Sequence, residues 1–127
     1  MIEQYLVSKL DTIEDLVGKC YPTAAPVGDT GPPFCIYRRV SGTIERDLAD
    51  DPVYYRDVFR LDLFGDDMDA LCALEAAVIA TMTEQCVDAG DTLYIFNAVA
   101  APGAQDGFDM AMEIHQRSVA YTVTYWR

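Results

Sequence analysis

Two alternating apolar runs, joined by a charged segment, constrain the fold of this chain more than any other feature. The runs cover residues 34–41 and 54–64, and the segment between them is too long for a tight hairpin turn and too polar for a core. At the usual rise of a strand the second run is about 36 Å long, more than a small domain needs. We therefore predict a β-hairpin whose arm projects from the body, with residues 42–52 at its tip.

The alternation also predicts which side chains face the core. In the second run Phe59, Leu61 and Leu63 form an inward stripe, which weakens when it is continued back to Asp57 and Tyr55. We expect the strand to extend beyond the core at that end. The first run has its apolar residues on one face: Phe34, Ile36 and Val40. Its other face carries Tyr37 and Arg39.

The remaining elements are two helices and two further strands. An apolar stripe at helical spacing over residues 2–17 predicts a first helix that ends at Gly18. A second helix is predicted from Asp66, as its N-cap, to about Cys86. Strands are predicted over 93–100 and 115–126, with a loop at 101–106. Residues 108–114 fit a strand or one helical turn, and we favour a strand that joins the last one. The expected fold is α+β, with an antiparallel sheet of about four strands and two helices on one face, in a single domain over residues 1–127.

Composition restricts the possible partners. The 21 acidic residues outnumber the 9 basic ones, and the net charge of -12 opposes binding to a phosphate backbone. No apolar stretch approaches the length of a membrane span, so we expect no membrane partner. The four cysteines have no C-x-x-C spacing and there is one histidine, His115, so we predict no metal and no cofactor. We expect free, mostly buried thiols.

Charged residues on the hairpin are the candidate interaction residues. Five of the seven arginines lie on its strands and loop, and they alternate there with acids. Two interpretations remain open: these charges pair across the strands of one hairpin, or they join one copy of the chain to the next. The candidates for subunit or tube contacts are Arg39, Glu45, Arg46, Asp47, Asp50, Asp51 and Arg56.

The order of elements resembles the tail completion, or tail terminator, family of long-tailed bacteriophages. The resemblance lies in PFCIYRRVSG, in YYRDVFRLDLFG leading into an alanine-rich helix, and in the closing RSVAYTVTYW strand. It implies an α+β subunit that assembles into a ring, commonly of six copies, on the finished tail tube. The implied partners are other copies of the chain, the tail tube protein and the head-tail connector, and DNA passes through the lumen without specific binding.

The resemblance implies a structural virion protein at the head-proximal end of the tail, present in the host cytoplasm during assembly, and not an enzyme. A lumen crossed by DNA favours weak adhesion, and a surplus of negative charge provides it. Two other functions remain open on the residues alone. One is a small acidic regulatory or inhibitory module, acting as a dimer. The other is a small enzyme that uses scattered carboxylates and His115.

Overall fold

In the part of the chain that the structure describes, two α-helices, a 3-10 turn and six β-strands are present. The computed structural model describes residues 2–22, 33–46, 48–49, 52–90, 93–109 and 114–126. The elements are α1 (Ile2–Leu10), a 3-10 turn (Glu14–Leu16), β1 (Cys20–Pro22), β2 (Phe34–Arg46), β3 (Pro52–Gly65), α2 (Met68–Met82), β4 (Glu84–Gly90), β5 (Leu93–Asp109) and β6 (Ile114–Trp126). The fold is α+β, as predicted. Neither helix in these ranges is long and apolar enough to cross a membrane.

The strands form one mixed sheet in the order β1-β2-β3-β6-β5-β4. β1 runs parallel to β2, and the other neighbouring pairs are antiparallel. Our prediction of about four antiparallel strands is therefore wrong. The three-residue β1 is too short for alternation to reveal it, and the sequence of β4 follows the helical stripe without an interruption.

Helix α2 is shorter than predicted at both ends. Its N-cap is Asp67, whose side chain accepts a hydrogen bond from the backbone N–H of Asp69 at 3.2 Å, and not Asp66. The helix ends at Met82 because Thr83 has an extended backbone, with φ -85° and ψ 114°. From Glu84 the chain pairs with β5. The predicted end near Cys86 is therefore wrong, because an apolar stripe does not record where a backbone changes conformation.

Helix α1 is also shorter than the stripe that predicted it. The helix ends at Leu10, and the 3-10 turn then brings Ile13 and Leu16 back to the core. Gly18 has the left-handed φ of 68° expected of a residue that ends such a segment. The stripe thus predicted which residues are buried but not where the helix ends. A 3-10 turn has three residues per repeat, so Ile13 and Leu16 still point to the core after the α-helix has ended.

Strands β5 and β6 form a long hairpin. The predicted loop at 101–106 is part of β5, which pairs with β6 through Pro102 opposite Val119 and Asp106 opposite Arg117, with a register shift between these pairs. The shift places extra residues in β5, which fits the Gly/Pro content that predicted a loop. Phe108 pairs with His115, so it belongs to β5 and not, as predicted, to the last strand.

The hydrophobic core lies between the helices and one face of the sheet. Phe59, Leu61 and Leu63 face the helices, as predicted, beside the inward residues of β6. Each fully buried side chain of this size contributes about 1.5–3 kcal/mol relative to exposure. The helices contribute Ile2, Leu6, Leu10, Leu71, Leu74, Val78 and Met82 to this core. A carboxylate, Glu84, ties α1 to the start of β4, because it accepts hydrogen bonds from the Tyr5 hydroxyl and the Lys9 ammonium.

The first strand of the hairpin turns towards the core the face that carries Tyr37 and Arg39. Cys35 is buried in the core and Tyr37 packs against it, so the apolar set that begins at Phe34 faces away from the helices. Phe34 is nevertheless buried, because its ring stacks on Phe64 with centroids 4.7 Å apart. Alternation identified the two faces of β2 but not which of them is inside, because both carry large side chains.

The four cysteines are free, as expected, but they are not mostly buried. Cys35 is buried, Cys20 is half-buried, and Cys72 and Cys86 are exposed. Cys20 pairs with Cys35 across β1 and β2. A hydrogen bond between their thiols, together with burial, raises the pKa of Cys35. Cys86 lies in β4, not on the helix that we predicted, and has a positive φ of 55°.

Candidate assembly surface

The end of the β2–β3 hairpin nearest its tip holds most of the predicted interaction residues. The predicted arm does not leave the sheet over this length: β6 accompanies β3 as far as the pair Tyr55–Tyr125. β2 accompanies it on the other side as far as Glu45 opposite Tyr54. The prediction of a projecting arm is therefore wrong for these residues, because a long C-terminal strand supports the second hairpin strand.

A β-bulge at Val40 sets the orientation of this part of β2. Arg39 pairs with Phe59 and Ser41 pairs with Val58, so Val40 is an extra residue in the ladder. Before the bulge the helix-facing residues of β2 have odd numbers, and after it they have even numbers, beginning with Gly42. The bulge therefore places Arg39 and Gly42 on the same face, three residues apart.

This arrangement brings Arg39 to a buried carboxylate. Asp57 is only 2% exposed, and its Oδ1 lies 3.2 Å from Nη2 of Arg39. Its Oδ2 accepts a hydrogen bond from the Tyr125 hydroxyl at 2.8 Å. Each carboxylate oxygen thus has a partner, which offsets the cost of taking the charge out of water. The core does not end before Asp57, as we expected; it ends in this polar cluster.

Gly42 makes the cluster possible. A Cβ atom on this residue would lie 1.9 Å from Nη2 of Arg39 and 2.7 Å from Oδ1 of Asp57. The guanidinium of Arg39 therefore passes close to the Cα of Gly42, where there is room for a hydrogen atom but not for a side chain. The requirement for glycine here is one of close approach, since the positive φ values among glycines are those of Gly18 and Gly90.

The Asp57 cluster borders a cleft between the start of α1 and the hairpin. The cleft has a volume of about 350 Å³ and is lined by Ile2, Glu3, Arg39, Ile44, Tyr55 and Asp57. The Arg39 side chain remains 54% exposed although it pairs with Asp57, so part of its guanidinium is accessible to another molecule. The arrangement can therefore accept a carboxylate or a carbonyl oxygen from a neighbouring molecule at Arg39 without breaking the Asp57 contact.

A second ion-pair cluster lies on the sheet face that points away from the helices. Asp62 is buried, with its Oδ1 2.8 Å from Nε of Arg60 and its Oδ2 3.7 Å from Nη2 of Arg38. Together with the Arg39–Asp57 pair, these contacts show that some of the hairpin charges pair within one hairpin, which is one of the two interpretations that the sequence left open. Arg38, Arg39 and Arg60 pair with acids of their own hairpin, so these three do not depend on a neighbour for a counter-charge.

The other candidate residues do not gather into one site. Arg56 is exposed on the helix-free face, where its Nε donates to Oγ1 of Thr124 at 3.5 Å, whereas Arg39 points to the helix side. Glu45 is half-buried opposite Tyr54, and Arg46 is exposed opposite Pro52. The three remaining candidates lie outside the described residues: Asp47, Asp50 and Asp51.

Sequence reasoning missed Tyr125 and Gly42 as members of the Asp57 cluster. A signal for both was present. An acid in an inward stripe must find donors, and the tyrosines of the last strand alternate on the same face. Gly42 follows the paired arginines at the beginning of the polar segment. What no pattern supplied was the bulge at Val40, which places these residues together.

Among the described residues no three potential metal ligands come together. The half-buried His115 pairs in the ladder with Gly65 and Phe108. Burial, with smaller contributions from Tyr5 and Glu84, raises the pKa of Tyr121 above its ordinary value of 10.0. The polar contacts of the candidate surface itself are the ion pairs and hydrogen bonds of Asp57 and Asp62.

Comparison with known proteins provides a fold likeness. No protein-family model matches this chain, and no curated protein sequence matches it. The fold is similar to that of a chain in a solved structure described as "Virion of native gene transfer agent (GTA) particle". The TM-score is 0.58 at 12% sequence identity, over 87% of this chain and 81% of that one. At this identity the similarity shows that the two chains share a fold.

Proposed function

We propose that this protein is a non-enzymatic structural component of a phage-like virion, and that it is the tail terminator. Copies of the chain form a ring, of six subunits by the family resemblance, at the head-proximal end of the tail tube. The observation that carries the proposal is the fold shared, over most of both chains, with a chain of a virion particle. The order of apolar runs, which resembles tail completion proteins, supports it independently.

The physical role that we propose for the ring is to end tube growth. A subunit ring seated on the last layer of tail tube protein leaves no complementary surface for the next layer. Its opposite side then receives the head-tail connector. DNA passes through the lumen, and the net charge of -12 keeps its adhesion weak if part of that charge faces the lumen.

In this proposal the hairpin end makes the subunit or tube contacts. Arg39 keeps half of its side chain exposed beside the cleft at α1, and Arg56 is exposed on the opposite face of the same hairpin. A structure with contact groups on two faces suits a ring, in which each copy touches two neighbours through different surfaces. The acids of the tip, Asp47, Asp50 and Asp51, belong to the same proposed contact region.

Electron microscopy and light scattering of the purified protein test the ring. We expect annular particles, alone or on the ends of purified tail tubes, and shorter tubes when the protein is present during tube growth. A protein that remains a monomer or dimer at all concentrations and ignores tubes would contradict the proposal. Tubes that grow to the same length with and without the protein would contradict the terminating role alone.

A shortened tip tests the contact region. The last regular pair before the tip is Glu45 opposite Tyr54, so replacing residues 46–53 by Asn-Gly closes a two-residue hairpin and also removes Pro52, which has no backbone N–H to donate. We expect a folded protein that has lost ring formation or tube capping. Gln85→Ala, at an exposed position in β4 on the opposite edge of the sheet, is the control and should assemble normally. Normal assembly of the shortened protein would exclude the tip as a contact.

A further inference from the structure

The helix-free face of the sheet carries a cluster of four aromatic residues, of which two are exposed and two are half-buried. Tyr94 pairs with Trp126 across β5 and β6, and Tyr54 directly precedes Tyr55, which pairs with Tyr125 across β3 and β6. The ring of Phe96 contacts two of them edge to face, with centroids 6.4 Å from Tyr54 and 5.3 Å from Tyr94. Phe96 is 44% exposed and Trp126 is 49% exposed. We call this cluster, with the apolar surface next to it, the aromatic face.

The apolar surface continues along the strands from the aromatic cluster. Val99, on the same face of β5, is exposed, and so is Val40 at the bulge of β2. Between them the sheet forms a shallow hollow of about 260 Å³, whose walls include Val40, Val58, Gly103 and Ala120. Both helices pack on the other side of the sheet, and no described element covers the aromatic face. Contiguous exposed apolar surface with aromatic anchors is typical of an interaction site.

Charge indicates what covers this face. Three arginines border it on β2 and β3: Arg38, Arg56 and Arg60. Asp62, which pairs with two of them, is buried. Two other acids lie on this face, Glu45 opposite Tyr54 and Asp88 opposite Tyr94, so its exposed positive charge is concentrated along the middle of β2 and β3. The opposite side of the molecule is acidic: residues 2–19 and 66–83 contain eight acids and only two lysines. The arginine border on one side of the molecule and the helical segments on the other are therefore complementary in charge.

We propose that the aromatic face is the docking surface for a second copy of this chain, which contacts it with its acidic helical side. This inference rests on the proposed ring and specifies the surfaces that form it. A contact between the front of one copy and the back of the next is heterologous, and repetition of one such contact closes a ring when the rotation per subunit permits. The aromatic side chains supply burial, and the arginine border fixes orientation.

The sole tryptophan of the chain, Trp126, reports directly on this contact. We expect its emission to shift to shorter wavelength, and its quenching by acrylamide to fall, as the full-length protein passes from monomer to ring with rising concentration. Sedimentation velocity on the same samples gives the fraction assembled. A ring in which Trp126 stays as accessible as in the monomer overturns this inference and leaves the ring proposal intact.

Two other outcomes also contradict the inference. If no ring forms under any condition, the proposed function and the inference both fail. If Trp126 becomes inaccessible only when tail tubes are added, the face binds the tube protein and not a second copy. Each outcome is distinguished by combining the fluorescence with the sedimentation measurement.

Substitutions on the two proposed surfaces test the pairing of front and back. Phe96→Glu should weaken assembly at least about 30-fold, the effect of losing one interface hot spot, while Phe96→Leu retains it. On the helical side we test two double variants, one with Asp66→Lys and Asp69→Lys and the other with Glu14→Lys and Asp15→Lys. At least one of these double variants should fail to assemble. Circular dichroism of each variant confirms that it is folded. Intact assembly in both lysine pairs overturns the assignment of the helical side.

Mixing provides the final test of a front-to-back contact. Phe96→Glu has a damaged front and an intact back, and the blocking lysine variant has the reverse. At a concentration at which each variant alone is monomeric, equal amounts of the two should form a 1:1 dimer that grows no further. A mixture that remains monomeric, while each variant is folded, overturns the proposal of a heterologous contact between these surfaces.

Discussion

Replacement of Gly42 by alanine should destabilise the protein because it displaces Arg39 from a buried carboxylate. The new Cβ would lie 1.9 Å from Nη2 of Arg39, so the guanidinium must withdraw from Asp57, which is 2% exposed. Loss of one partner of a buried ion pair costs about 3–5 kcal/mol. The cost here should be smaller, about 1–3 kcal/mol, because Arg39 is half-exposed and Tyr125 still donates to the carboxylate.

The mechanism makes the cost of Gly42→Ala depend on Arg39. In an Arg39→Ala background the guanidinium is already absent, so the same replacement should cost much less. Only the 2.7 Å approach to Oδ1 of Asp57 then opposes it, and the usual gain from removing a strand glycine, about 0.5–1 kcal/mol, works in its favour. Urea unfolding of the four proteins of this cycle measures the coupling. Equal costs of Gly42→Ala in both backgrounds would refute the reasoning.

Three further predictions concern the rest of the fold. The raised pKa of Tyr121 means that the folded protein retains a proton that the unfolded chain loses near pH 10.0, so stability should fall as pH rises above 10, by up to about 1.4 kcal/mol per pH unit for this group; Tyr121→Phe should make the fall shallower in urea unfolding. Glu84→Gln should cost about 1–2 kcal/mol, because the carboxylate ties α1 to β4; an unchanged urea midpoint would contradict this. Gly103→Ala should cost about 1–3 kcal/mol, since its Cβ would lie 2.8 Å from the backbone oxygen of Ser118, whereas Gly107→Ala, which meets only a flexible side chain, should cost less.

The sequence predicted the elements that have one strongly apolar face. Leu61 and Leu63 are inside, α2 covers the sheet, and the α+β class is correct. Errors arose where the backbone departs from a regular period. Thr83 ends a helix within a continuous apolar stripe, and the register shift after Pro102 keeps a Gly/Pro-rich segment in a strand. Neither departure changes the hydrophobic pattern, so periodicity could not reveal it.

The candidate surface was predictable only in part. Sequence placed the candidate interaction residues on the hairpin, but it could not show that Arg39 and Arg56 point to opposite faces. It also could not show that Asp57 is buried, because its burial depends on the long register between β3 and β6, in which Asp57 pairs with Val123, 66 positions away. Such pairings are set by tertiary structure, and local patterns do not contain them.

The two edges of the sheet bear on how copies would join in the proposed ring. β1 covers β2 only from Cys35 to Tyr37, and in the described part of the chain no further strand pairs with the remainder of that edge. That remainder is bent by an inserted residue and carries arginines; the other edge, β4, is short and contains Cys86 at a positive φ. Features of this kind hinder the addition of a foreign strand. Polymers that grow by strand addition have no defined length. If copies instead join through side chains on the faces of the sheet, the rotation from one copy to the next sets how many copies close the particle.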